Sequence, residues 1–291
     1  MSQAGGVRRG LLAVCMALAG WPMAAPAQAP APTERKALRV CQDPNNLPFS
    51  NAQGQGLENR IAEVFARKLN VPVSYFSYPL RFAFVRNTLR YKLPDQDYPC
   101  DIIMGVPVGF DQVSVTQPYY RSTYALVFAP HRALAEVRTA EDFLALEPTL
   151  RQTLRIGIYD KSPASQWVAA HGLLDQTVVY KMLDADPQQY PGQIIDKHLR
   201  EGAIDAAVVW GPLAGYFAQQ GSGTALRVVP LKSEKDVQFD YAIAMGVRYG
   251  EKAWKDQIDT LIASSHTEIQ AILKEFGVPL VDGQAPSTAM R

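Results

Sequence analysis

The sequence predicts an α/β protein of two lobes joined by two crossover strands. Three observations predict it. Short apolar runs alternate with amphipathic helical stretches from Leu38 onward, the same alternation restarts after Phe128, and a further strand at Phe239–Met245 precedes two closing helices. With 291 residues, 47% of them hydrophobic, the chain can bury a separate core in each lobe.

Leu38-Arg39-Val40-Cys41 reads as the first strand, stopped by the turn cluster Asp43-Pro44-Asn45-Asn46-Leu47-Pro48. Leu57, Ile61, Val64, Phe65 and Leu69 follow at helical spacing. Next come a strand over Val71–Tyr78, a helix carrying Phe82, Val85 and Leu89, and the strand Asp101-Ile102-Ile103-Met104-Gly105. That order is the mark of a parallel sheet covered by helices. After a crossover strand over Thr123–Phe128, Leu154–Tyr159, Val178–Leu183 and Ala206–Trp210 read as strands, with helices from about Gln166 and over Gln193–Glu201. The strand Phe239–Met245 carries the chain back to the first lobe. Two amphipathic helices close the chain, one on Trp254, Ile258, Leu261 and Ile262, the other on Ile269, Ile272, Leu273 and Phe276, stopped by Gly277 and Pro279. The expected divisions are a leader over 1–29, a flexible tether over 30–37, lobe 1 over 38–125, lobe 2 over 126–242 and a return to lobe 1 over 243–291.

Arg8 and Arg9 precede the apolar run Leu11–Ala19 and the small residues Ala24, Ala25, Ala27 and Ala29. This is the layout of a secretory signal peptide, cleaved after Ala27 or Ala29, with Ala27 preferred because Pro30 follows Ala29. The run falls short of the roughly 20 apolar residues a membrane anchor needs, so export to the periplasm without an anchor is expected. Losing Arg8 and Arg9 and no acidic residue takes the formal charge from +1 to −1. Such a balance gives no electrostatic reason to bind nucleic acid or anionic lipid. Cleavage leaves Cys41 and Cys100 in a compartment that permits disulfides. They form one bridge, the favoured reading, or two buried thiols, since spacing does not say whether their Cα atoms lie within about 7 Å.

Catalytic and metal-binding patterns are missing. His131, His171, His198 and His266 lie far apart, and none belongs to a His-Glu-x-x-His pair. No Gly-x-Ser-x-Gly elbow occurs, and Gly54-Gln55-Gly56 has Asn59 where a dinucleotide fingerprint needs its third glycine. Asp95, Asp97 and Asp101 lack the glycine and terminal glutamate of a calcium loop and read as a solvated acidic loop. No catalytic residue and no metal ligand is therefore expected. Arg81, Arg86 and Arg90 read as a basic helix face, Arg86 and Arg90 one turn apart, which is either plain solvated surface or a docking face.

Open α/β sheets bind ligands at the carboxyl ends of their strands. That rule selects Asn45, Asn46 and Phe49 after the first strand, Tyr78 and Arg81 after the second, and Pro107 after the third. Trp210 ends a strand at the same cleft, and Tyr119 and Tyr120 before the crossover and Asp240 on the return strand are counted with the cleft residues. Asp160, Ser162 and Ser165 stand where a helix N-terminus would suit an anionic group. Asn, Ser and Asp also serve as ordinary turn formers and caps.

Gln117-Pro118-Tyr119-Tyr120 resembles the Phe-Ser-x-Pro-Tyr segment before the hinge of type 2 periplasmic solute-binding proteins, and Gly202-Ala203-Ile204-Asp205-Ala206-Ala207 resembles their Gly-x-x-Asp-Ala strand entry. Leu38–Ser50, Phe84–Arg90, Cys100–Pro107 and Tyr119–Tyr124 are similar to one subfamily, the quinoprotein dehydrogenase-associated J proteins of methanol-oxidation clusters (MxaJ/XoxJ-like), over about Leu38–Val281. The resemblance implies a two-lobed type 2 periplasmic-binding-protein fold and a non-catalytic periplasmic accessory of a PQQ-dependent alcohol (methanol) dehydrogenase. That enzyme's c-type cytochrome is a further candidate partner. PQQ and metal would sit in the partner, with no cofactor bound directly here.

Departures from the transport branch are informative. Counting nine residues back from Pro118, where amino-acid receptors of this fold keep a carboxylate-clamping arginine, gives Gly109, with Phe110 and Asp111 beside it. Their amine-binding aspartate, at the end of an Asp-Ala-x-x-x-Asp strand, is replaced by Trp210. An amino-acid zwitterion would be left unpaired, which is costly. Two other classes stay open: the solute receptor of an ABC-type transporter for a small organic solute other than a standard amino acid, and a cleft enzyme, which the missing catalytic cluster disfavours.

Overall fold

The computed structural model describes residues 1–2, 5–6, 35–80, 83–182, 186, 188–221 and 225–281. Two compact units divide the chain, Met1–Thr33 and Glu34–Arg291, and every element named below belongs to the second. The expected leader, apart from residues 1–2 and 5–6, and the expected tether up to residue 34 lie outside the described residues.

In the first lobe, β1 (Leu38–Gln42) leads through a short hairpin, β2 (Asn45–Asn46) and β3 (Ser50–Asn51), into α1 (Leu57–Leu69), followed by β4 (Val73–Ser77), α2 (Phe84–Asn87), β5 (Ile102–Pro107) and β6 (Ser114–Val115). Strands β4, β1 and β5 pair in parallel in that order. α1 covers them with its buried face of Leu57, Ile61, Val64 and Phe65. It starts at Gly56 because nothing larger fits: a Cβ there would lie 2.0 Å from the Phe49 carbonyl oxygen. The Gly56 N–H donates to Asn59 Oδ1 at 3.0 Å and closes the first turn, which accounts for the asparagine at that position.

β7 (Tyr120–Phe128) changes sheets within its own length. The second lobe then adds α3 (Ala140–Leu144), α4 (Pro148–Arg151), β8 (Ile156–Tyr159), α5 (Pro163–Ala170), β9 (Thr177–Tyr180), a π-helical segment at Ile194–Leu199, β10 (Ala206–Trp210), α6 (Gly211–Gln219) and β11 (Arg227–Pro230). β12 (Asp240–Val247), α7 (Lys252–Ser264) and α8 (His266–Glu275) complete the chain. Tyr120–Thr123 of β7 pair with β12, whereas Tyr124–Phe128 pair with β10 and β11. The strand order β4-β1-β5-β12-β7-β10-β8-β9 is therefore two parallel α/β sheets joined through antiparallel β12 and β7, a two-lobed type 2 architecture with two crossover strands. Each lobe keeps its own core: Leu38, Ile61, Phe65, Ile102, Met245 and Trp254 in one, Phe128, Phe143, Ile156, Trp167 and Phe239 in the other.

Local expectations differ from the structure in four places. The helix expected on Phe82, Val85 and Leu89 is the single turn α2, Phe82 lying outside the described residues; Thr88 leaves helical geometry and its hydroxyl donates back to the Phe84 carbonyl at 2.7 Å. Arg86 and Arg90 consequently share no helical face. Both are exposed, and the Arg90 guanidinium donates to the Gln112 carbonyl. α5 starts at Pro163, earlier than Gln166, because proline supplies a ready-made first helical residue after Ser162. β9 stops at Tyr180, and the helix expected over Gln193–Glu201 is the π-helical segment.

The acidic loop is also not uniformly solvated. Asp95 and Asp97 are exposed, but Asp101 is fully buried between Arg35 (Nη1 at 2.6 Å), Arg39 (Nε at 2.7 Å) and Arg248 (Nη2 at 2.5 Å). Arg248 Nη1 also donates to the carbonyls of Cys100 (2.6 Å) and Leu89 (3.1 Å). Beside it Cys41 and Cys100 form a disulfide with Cα atoms 5.2 Å apart. The bridge and the arginine cluster together tie the loop between α2 and β5 to the sheet.

Candidate functional site

A cavity of about 830 Å³ lies where the two lobes and the crossover strands meet. The first lobe contributes Asn45, Asn46 and Phe49 from the hairpin and Glu58 from α1. The crossover region supplies Tyr120, Tyr124 and Trp210. The second lobe faces them with Tyr159 and Tyr180, the last residues of β8 and β9, and with His198 from the π-helical segment. Tyr159 and Tyr180 obey the carboxyl-end rule for open α/β sheets. Trp210 is held edge-on by Tyr124 (5.4 Å) and Tyr241 (6.0 Å), a rigid aromatic wedge on the cavity wall. His198 packs on the Tyr180 ring at 4.8 Å.

The structure brings six of the sequence-selected residues to this cavity: Asn45, Asn46, Phe49, Tyr120, Ser162 and Trp210. Ser162 Oγ donates to the Tyr159 carbonyl at 2.7 Å, so the hydroxyl tightens the turn before α5. Six others lie off the wall. Tyr119 is buried behind Tyr120, its ring 4.9 Å away, because neighbours on an extended chain point to opposite sides. Tyr78 accepts a hydrogen bond from Asn87 Nδ2 at 2.9 Å, and Pro107 is exposed at the end of β5. Asp160 accepts from the Met182 N–H at 2.7 Å, holding the turn after β9. The Ser165 N–H is used by the Ser162 carbonyl at 3.0 Å inside α5. Asp240 pairs with Arg121 (Nε at 2.8 Å) across the two crossover strands. Arg81 lies outside the described residues.

Sequence reasoning missed Tyr124, Tyr159, Tyr180, Phe110 and Glu58. Tyr159 and Tyr180 were within reach of the carboxyl-end rule. Glu58 carries no such signal, since an acid in the first turn of a helix is ordinary. In the structure it is a cavity-wall acid. Its carboxylate occupies the space left by Gly105, where a Cβ would come within 2.3 Å of Glu58 Oε1; Gly105 also has φ +73, so glycine is required twice over. Among the described residues no hydrogen bond or ion pair reaches this carboxylate, and burial pushes it up to about 8. Burial, with a smaller contribution from the charge of Glu58, raises the hydroxyls of Tyr75, Tyr119 and Tyr120 and keeps them neutral.

A carboxyl raised above its unfolded value near 4.3 costs stability as pH rises through the folded value. Glu58→Gln is therefore expected to leave Tm unchanged at pH 4. At pH 9 it should raise Tm by about 5 °C, equivalent to roughly 2 kcal/mol. Calorimetry at the two pH values checks this, and equal shifts at both would exclude a desolvated acid.

No protein-family model matches the chain. The solved structure of periplasmic binding protein XoxJ from Methylobacterium extorquens AM1 is 34% identical to it, covering 84% of this chain and 100% of that one, with a TM-score of 0.67. The chain belongs to the XoxJ family of periplasmic binding proteins. Protein MoxJ of Paracoccus denitrificans is 25% identical over 266 residues, 87% of this chain and 92% of the relative. Protein MoxJ of Methylorubrum extorquens is 27% identical over 260 residues, 84% and 81% of the two chains. In this XoxJ-family cleft Gly109, the position reached by counting nine residues back from Pro118, has φ +90 and open space around it, while Phe110 beside it lines the cavity. Among the described residues no helix is long and apolar enough to cross a membrane, and no three His, Cys, Asp or Glu side chains converge.

Proposed function

We propose that this protein is a periplasmic, non-catalytic accessory factor that holds a peptide segment of a PQQ-dependent methanol dehydrogenase in its interlobe cleft. The observation that carries the reading is the character of the cavity mouth. Leu80 (48% exposed) on the first lobe and Val179 (61%) and Met182 (45%) on the second leave an apolar rim open to solvent around an aromatic interior. An exposed apolar rim leading to a rigid aromatic anchor suits a protein segment, because such anchors dominate protein recognition. A small polar solute would gain nothing from the rim and would find no arginine at Gly109. PQQ and metal belong to the partner in this reading, and that enzyme's c-type cytochrome is the second candidate partner. Two cavity groups of types that serve in catalysis elsewhere make structural contacts here: the Ser162 hydroxyl donates to the Tyr159 carbonyl and His198 packs on Tyr180.

Affinity capture with the tagged protein, from cells making a PQQ methanol dehydrogenase, should retain that enzyme. Trp210→Ala should weaken capture about thirtyfold, the loss of roughly 2 kcal/mol expected for a central aromatic anchor. Failure of the unaltered protein to retain the dehydrogenase would sink the proposal. A metabolite that raises Tm in saturable fashion would favour the transport-receptor alternative instead.

A further inference from the structure

Two acids line the cavity, and only one has its charge met. Asp43 accepts from the backbone N–H groups of Asn45 (2.8 Å) and Leu80. Glu58 accepts from nothing among the described residues. The basic groups on the cavity wall, Lys181 and His198, both belong to the second lobe and make no ion pair with it. The cavity that Glu58 lines is also lined by the aromatic residues Phe49, Tyr120 and Trp210, and the Glu58 N–H donates to the Phe49 carbonyl at 2.9 Å.

We infer that Glu58 and this aromatic wall form a subsite for an alkylammonium group and, resting on the function proposed above, that the inserted partner segment seats a lysine side chain there. The chemistry selects the occupant. A cation neutralises a carboxylate that the cavity otherwise leaves unpaired, and aromatic faces attract cations while covering an aliphatic stem. An anionic group would meet Glu58 with no clamp residue at Gly109 to compensate it. A neutral apolar group would deepen the desolvation of the carboxyl without pairing it. Gly105 keeps the space beside Oε1 free of a side chain, and any larger residue would displace the carboxylate from its position.

Calorimetric titration of the purified protein with hexylammonium, 1-hexanol and hexanoate at pH 8 tests the subsite. Hexylammonium should bind at least about tenfold more tightly than hexanol, with hexanoate weaker still. Glu58→Gln, close in shape and free of the buried charge, should bring the amine level with the alcohol. Equal affinities in the unaltered protein, an amine advantage that survives in Glu58→Gln, or no binding of hexylammonium at millimolar concentration would each overturn the subsite. Dehydrogenase capture distinguishes the two readings. Capture retained undiminished by Glu58→Gln rejects the lysine while leaving the accessory function standing. An amine preference without any capture rejects the accessory function and assigns the subsite to a free alkylamine.

Discussion

Asp101→Ala will destabilise the protein by about 4 kcal/mol in denaturant unfolding, the range expected when one partner of a buried ion cluster is removed. The carboxylate is 0% exposed, and three guanidinium groups converge on it from Arg35, Arg39 and Arg248. Removing it leaves Arg248, itself only 9% exposed, to share the one remaining carboxylate, Glu251 (Nε–Oε1 2.6 Å), with Arg35, so that two interior guanidinium groups depend on a single acid. The same side chain anchors the carbonyls of Leu89 and Cys100, so the loop before β5 loosens with it. Asp95→Ala, on the exposed part of that loop, should stay within about 0.5 kcal/mol of the unaltered protein. Equal effects of the two substitutions would refute the arginine cluster. Burial by itself pushes the Asp101 carboxyl up. Hydrogen bonds from Arg39 and Arg248 and the charges of Arg35 and Arg39 outweigh it and hold the carboxyl below its ordinary value. A depressed carboxyl contributes stability above its unfolded value near 3.9 and loses it as pH falls through the lower folded value. The cluster therefore fails only in acid below about pH 4, and Asp101→Ala should flatten that arm of the pH–stability curve.

Replacing both Cys41 and Cys100 with serine is expected to cost about 3 kcal/mol. The bridge closes a loop with a sequence separation of 59, and removing it restores that loop's freedom to the unfolded chain. Thermal unfolding with and without a thiol reductant gives the readout. Reductant should lower the Tm of the unaltered protein by about 10 °C and leave the double serine variant unmoved. Because Cys100 and Asp101 are neighbours served by the same arginine, the bridge and the ion cluster should not be additive when combined.

Much of the fold was legible because its signals are local. Leu38–Cys41, Ile102–Met104 and Ala206–Trp210 are short Val- and Ile-rich runs bounded by turn residues, and each is a strand within the bounds of β1, β5 and β10. Trp210 was legible as a cleft residue for the same reason, since it ends such a run. The helix on Phe82, Val85 and Leu89 was misread because apolar spacing reports burial and not the means of burial. Leu89 is buried by a loop that Arg248, on the far side of the sheet sequence, ties down.

The sequence by itself determined the α/β alternation, the restart that makes two lobes, the absence of an arginine at Gly109 and the aromatic end of β10. Tertiary structure alone decided which acids matter. Asp101 and Glu58 are alike on paper, yet one is enclosed by arginines at positions 35, 39 and 248 and the other lies against Gly105 in an aromatic-lined cavity, with no ion-pair partner among the described residues. Strand and helix periodicity is carried by residues adjacent on the chain. The charge state and exposure of a carboxylate are set by groups brought to it from far along the chain, and only the assembled sheet brings them there.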